Sequence, residues 1–149
     1  MKKIEIDTFL KFRFLSNPHF SPDGTKIAFT VSVPDRETNG YLSDLYLYDL
    51  GKKTVSRVTC AGDAKIWSWT AENTLIFPAA RTASLKKEKE NGTSFFYEIS
   101  PSGGEASCRA SVPASVTGIR LLPDRRYLLT IRHDNYKDTR KKSYEVFDE

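Results

Sequence analysis

His19 and His133 are the 2 histidines of this 149-residue chain, and they are its candidates for a general base near neutral pH. Acyl transfer needs such a base beside a nucleophile and an orienting acid. Serines are plentiful, yet G-x-S-x-G is missing, as are H-E-x-x-H, a Walker loop and G-x-G-x-x-G. His19 follows Pro18 in a short strand-like stretch and reads as a packed or turn-bonding residue, whereas His133 borders a charged loop and reads as solvated. Two separated histidines without paired carboxylates make a poor metal site, so neither a metal nor another cofactor is expected. Cys60 and Cys108 form no CxxC pair and have no neighbouring histidine. In a reduced compartment they read as small apolar fillers rather than a disulfide. No catalytic residue is expected within the chain.

Binding chemistry has more candidates, each with two readings. Arg81 follows a strand-like run and could reach a central cavity, which makes it the candidate for a substrate channel. Arg81 to Glu90 and Arg132 to Lys142 are charged connections, the second with five Lys/Arg against two Asp. They suit phosphate backbones or an acidic partner, or else they are solvated hairpin loops. Trp67 and Trp69, two apart, point the same way from a sheet, either filling the gap between two sheets or stacking on a ligand. Asn91-Gly92-Thr93 matches a glycosylation acceptor, but without a secretory signal it reads as a hairpin turn.

Short strands separated by turn chemistry must carry these side chains. Asn17–Phe20, Lys26–Val33, Asp44–Leu50 and Thr54–Thr59 read as four antiparallel strands. Their turns fall at Asp23-Gly24, expected as type I′, at Asn39-Gly40 and at Gly51-Lys52. The order then returns with Lys65–Trp69, Thr74–Phe77, Ser94–Ile99 and Glu105–Val112, and a third round opens with Gly118–Leu122 and Tyr127–Ile131. Acidic turn residues Asp23, Glu72 and Asp124 are spaced by 49 and 52, and tyrosines Tyr46, Tyr97 and Tyr144 by 51 and 47. A four-strand unit recurring near fifty residues reads as a β-propeller blade, whereas a β-sandwich has no reason to repeat.

The expected fold is all-β: a partial β-propeller of about two and a half four-stranded antiparallel blades with a short N-terminal helix. The lead-in is 1–15, blade one about 16–60, blade two about 61–113 and partial blade three about 114–149. The helix is expected within Ile6–Leu15, where Asp7 or Thr8 could cap it, lying against the ring. Propellers need about four blades or more. The third round stops inside its third strand, Ser143 to Glu149, so the chain reads as the amino-terminal piece of a longer protein.

Ser21-Pro22-Asp23-Gly24-Thr25-Lys26-Ile27-Ala28-Phe29 resembles the turn-and-strand repeat in the propellers of the prolyl oligopeptidase family of serine peptidases. Leu15-Ser16-Asn17-Pro18 looks like its lead-in, and Asn39 to Leu47 like the first blade's third strand in the acylaminoacyl-peptidase / dipeptidyl-peptidase-like branch. Trp67-Ser68-Trp69, Leu75-Ile76-Phe77, Arg81, Phe96 to Ile99 and Gly103 to Ala106 are similar to that branch's second blade. The order covers nearly the whole chain. It departs at Ala71-Glu72-Asn73 and Asp124-Arg125, where a second and third Asp-Gly turn would be usual. The resemblance implies a peptidase in which an N-terminal propeller caps an α/β-hydrolase domain with a Ser-Asp-His triad, limiting access to short or unfolded peptides. No triad position can be carried over to these residues.

Composition fits that expectation: 39% hydrophobic, 28% charged and 12% aromatic residues describe a globular chain. The net charge of +4 is spread over 23 basic and 19 acidic residues, which argues against nucleic acid. No apolar run approaches the ~20 residues of a membrane span, and no h-region follows the basic start, so the expected location is cytoplasmic with no membrane partner. The expected partners are the hydrolase domain of the parent chain, peptide substrates and, for the fragment alone, a second copy of itself. The alternative is a propeller-type interaction module with no enzymatic role, of the WD-repeat or periplasmic translocation kind. The missing export signal, the period near fifty and the lack of Trp-Asp endings count against it.

Overall fold

In the computed structural model, which describes residues 6–132, two four-stranded sheets and a two-stranded sheet follow one another along the chain. Blade one is β1 (Phe14–Phe20), β2 (Lys26–Asp35), β3 (Gly40–Asp49) and β4 (Thr54–Arg57). Blade two is β5 (Ser68–Trp69), β6 (Leu75–Pro78), β7 (Ser94–Ile99) and β8 (Ser107–Val112). The third sheet pairs β9 (Ser115–Leu121) with β10 (Tyr127–Arg132). Each sheet is an antiparallel meander in sequence order. Tyr144 and the stretch from Ser143 to Glu149 lie outside the described residues, as do His133 and the connection after Arg132.

Pleating sorts the side chains into two faces. His19, Ala28, Leu47 and Ser56 lie opposite one another across blade one. Ala28 and Leu47 from that row join Leu45, Trp67, Trp69, Leu75, Phe77 and Ile99 in one buried cluster, the seam between blades one and two. The alternate row, Phe20, Ile27, Tyr48 and Val55, occupies blade one's other face, where Phe29 stacks on Tyr46 at 6.0 Å. Blade two turns its own alternate residues, Ile76 and Phe96, onto Val116, Ile119 and Leu129 of the third sheet. The expected period is therefore a period of packing, in which blade two buries one face on blade one and the other on the third sheet.

The turns between first and second strands keep one geometry through three different sequences. Gly24, Asn73 and Arg125 all take left-handed φ, at 70°, 61° and 65°. In each turn that residue's N–H donates to the carbonyl three residues back: Ser21, Thr70 and Leu122. Of the Asp23-Gly24 pair only Gly24 has positive φ, so this is a type I turn continued by a left-handed residue and not the expected type I′. Pro22 at the second position fixes the φ that type I requires. The departures from Asp-Gly thus preserve the turn, and their side chains have a further use. Asn73 Oδ1 accepts from Asp23 N–H at 3.0 Å, and the Arg125 guanidinium pairs with Glu72. The second and third turns each reach back to the turn of the preceding blade.

Asp23 also holds its own turn, accepting from Ser21 Oγ (2.6 Å), Thr25 N–H (3.0 Å) and Thr25 Oγ1 (2.8 Å). These bonds, the Ser21 hydroxyl first, lower its pKa from 3.8 to about 2. The native state therefore favours the carboxylate. The turn's contribution is complete above the unfolded value near 3.8 and fades as pH falls through about 2. A carbon-detected NMR titration of the Asp23 carboxyl should have its midpoint near 2, and a midpoint near 4 would mean the hydroxyl contacts do not persist in solution.

Three expectations are corrected. The leading helix is a 3-10 turn over Ile6–Lys11 beside β2, because Phe14 and Leu15 already pair with Ser32 and Val31. The connection after Arg81 is not wholly loop, since Ala83–Glu90 is a helix, α1. Thr82 Oγ1 caps it by accepting from Leu85 N–H, and Asn91-Gly92 closes it by donating to Lys87 and Lys89 carbonyls, so that pair is a helix stop rather than a hairpin turn. Its residues stay solvated apart from the partly buried Leu85. Cys60 and Cys108 are free but exposed, not core fillers, because Cys60 sits in the loop after β4 and Cys108 on the outermost strand of blade two.

Candidate functional site

The first strands of the three sheets, β1, β5 and β9, stand side by side and enclose an open cleft of about 420 Å³. Its floor is Trp67 and Trp69, and its walls include Asn17 and His19 from β1 and Ile119 and Arg120 from β9. The indoles are fixed by their N–H groups: Trp67 Nε1 donates to Thr30 Oγ1 at 2.9 Å and Trp69 Nε1 to the His19 carbonyl at 3.1 Å. Both are almost wholly buried, so packing between blades is their main work, with one edge left to the cleft. Leu121 N–H donates to Ser68 Oγ at 3.2 Å and stitches β9 to β5.

A β-bulge shapes the β1 wall. The register between β1 and β2 shifts between Ser16 and His19, and Asn17 takes φ 55° there, a conformation asparagine tolerates. The kink brings Asn17 Oδ1 to 2.8 Å from His19 Nε2, and the imidazole meets Trp67 edge-on at 5.7 Å. His19 is therefore a turn-bonding residue as expected, but an exposed one. Its Nε2 is engaged with an amide rather than a serine. Ser68 accepts from Leu121 and donates to the Trp69 carbonyl, which leaves its hydroxyl proton committed. Neither His19 Nε2 nor the Ser68 hydroxyl is free to form a nucleophile–base pair in this cleft.

Arg81 is not part of this wall. Its guanidinium lies over the Tyr97 ring at 5.1 Å, between β6 and α1. Arg120 was not singled out by sequence reasoning, because one arginine in a strand of mixed residues carries no local signal. Knowing that β9 repeats β1 and β5 would have found it. Among the described residues no group of His, Cys, Asp or Glu could hold a metal ion, and no helix is long and apolar enough to cross a membrane.

Successive four-stranded meanders packed face to face, with their first strands around a shared opening, define this chain as part of a β-propeller. The propellers it is similar to are those of peptidases. It is 26% identical over 133 residues to the uncharacterized peptidase YuxL of Bacillus subtilis, covering 87% of this chain and 19% of the relative. Among solved structures it resembles acylaminoacyl peptidase from Pyrococcus horikoshii, with a TM-score of 0.61 and 18% identity over 87% of this chain and 20% of that one. It also resembles the β-propeller domain of the Trilobed protease from Pyrococcus furiosus, described as having an open velcro topology, with a TM-score of 0.56 and 16% identity over 82% of this chain and 35% of that one. No family model matches the sequence. The chain thus spans about a fifth of the length of the curated peptidase and of the acylaminoacyl peptidase.

Proposed function

We propose that this chain is the propeller segment of a cytoplasmic serine peptidase acting on short or N-acylated peptides. In this reading its blades run over about 16–60, 61–113 and, for the partial third, 114–149, and they gate access to an α/β-hydrolase domain carried elsewhere in the parent chain. The observation that carries the reading is the cleft along β1, β5 and β9: it is open, floored by indoles, and lacks the groups for acyl transfer among the described residues. Such a surface admits and orients an extended peptide but does not cleave it. Arg81 belongs here only as a candidate further along the same route, since it borders blade two's long connection.

The test is the reading frame that encodes the chain, expressed to its stop codon and assayed on acylaminoacyl chromogenic substrates. Fluorophosphonate-sensitive turnover that favours short peptides is expected, with none from the 149-residue chain alone. A stop codon soon after Glu149, or turnover that copurifies and titrates with the isolated chain, overturns the reading. The first outcome would favour an interaction module instead.

The isolated chain should also self-associate. Blade one's alternate face exposes Phe20 and Val55, at 64% and 60%, and a cleft of about 470 Å³ opens between Ile76, Phe96, Tyr127 and Leu129. Light scattering over a concentration series should show a rising mass, and a monomer throughout would mean these surfaces stay wet.

A further inference from the structure

We propose that the cleft along β1, β5 and β9 binds the C-terminal carboxylate of a peptide, with Arg120 and Asn17 as its recognition groups. The inference deepens the peptide-gating reading and rests on it. Its ground is charge. The residues lining the cleft include Arg120 and His19 but no Asp or Glu. Five other arginines (Arg36, Arg57, Arg109, Arg125 and Arg126) pair with carboxylates; Arg120, like Arg13, Arg81 and Arg132, has no carboxylate partner among the described residues, and of these four it is the one that lines the cleft. A guanidinium beside an apolar floor is poised for a planar anion that it can meet with two parallel N–H groups.

Asn17 supplies the second donor. Its Oδ1 is engaged by His19 Nε2, and the amide Nδ2 hydrogens are left to donate. The bulge that kinks β1 at Asn17 forces a left-handed φ on a non-glycine residue beside the cleft, where such bulges re-aim side chains. Ser68 adds nothing, because its hydroxyl is already donating to Trp69.

A terminal carboxylate fits better than a side-chain one. It is attached to the backbone, so the last side chain can lie against the Trp67–Trp69 floor and Ile119 while the carboxylate meets Arg120. A glutamate would place its charge at the end of the very side chain the apolar floor would take.

The chain carries its own reporter, since its 2 tryptophans both line the cleft. Acetyl-Ala-Ala-Phe with a free carboxylate should shift their fluorescence and bind about tenfold tighter than its C-terminal amide, the difference expected of a charge-assisted pair. Acetyl-Ala-Glu-Phe amide should behave like the amide. Arg120→Gln should remove the preference, Asn17→Gly, which keeps the backbone conformation, should reduce it, and Lys52→Gln, which removes a charge from a turn outside the cleft, should leave it intact. Arg120 is an exposed strand residue, so its variant is expected to fold, with circular dichroism as the check. Equal binding of acid and amide, a preference that survives Arg120→Gln, or no binding of either overturns the proposal. The assay needs no hydrolysis, so its failure is separate from that of the peptidase reading, which falls on the reading frame and its activity.

Discussion

Replacing Asp44 with alanine is expected to lower the unfolding free energy by about 2–4 kcal/mol, a large loss for a single carboxylate. Asp44 is only 7% exposed and is the acceptor at the join between blades one and two. Its Oδ1 takes Thr59 Oγ1 at 3.0 Å and Gly62 N–H at 3.1 Å, and its Oδ2 takes the Arg57 guanidinium at 2.6 Å. The carboxylate, hydrogen-bonding first and charge second, raises the Arg57 pKa above its ordinary value. Alanine would strand a backbone N–H and a hydroxyl at the start of the connection that carries the chain to blade two. Arg57 is half exposed and can return to water, which keeps the loss below that of a fully buried pair. Asp44→Asn keeps an acceptor for Gly62 and should cost about half as much. Urea denaturation of both variants decides it; if alanine and asparagine cost the same, the backbone bond contributes nothing.

Phe77→Ala should cost about 3–5 kcal/mol, enough to leave a domain of ordinary stability partly unfolded. Phe77 is 1% exposed in the middle of β6, opposite Tyr97, and belongs to the cluster that Leu45, Leu47 and the indoles complete from both blades. The cavity it leaves has walls on two sheets that are themselves hydrogen-bonded, so collapse is restricted. Phe77→Leu should lose about 1.5 kcal/mol or less. A loss under that value for alanine would show that the seam between the blades yields easily.

How much of this was legible in the residues depends on what each element answers to. The ends of β7, Ser94–Ile99, were readable because five of its six residues are β-branched, aromatic or small and the run lies between turn signals. β1 was readable only from Asn17 onward, although it starts at Phe14, because Leu10 and Phe14, four apart, mimic a helix stripe. What decided it was pairing with Ser32 and Val31, which no local window contains. The helix α1 was missed for the opposite reason. Its run of Lys and Glu reads as solvated loop, yet Ala, Leu, Lys and Glu are strong helix formers behind an N-capping threonine. The blade repeat foretold the tryptophan seam, but not that Cys60 and Cys108 are exposed, since that depends on the loop after β4 and on which strand lies outermost in blade two.

The three turns at Gly24, Asn73 and Arg125 give the chain a direction. In blades two and three the left-handed residue extends backwards and grasps its predecessor, Asn73 on Asp23 and Arg125 on Glu72. Glycine, the least strained residue for that φ, appears only in blade one, which has no earlier blade among the described residues to grasp. A sequence-averaging redesign that wrote Asp-Gly into all three turns would relax each bend and at the same time cut the thread that tells one blade where the last one sits. The irregular letters of this repeat are its syntax: they link consecutive turns that its regular letters would leave unconnected.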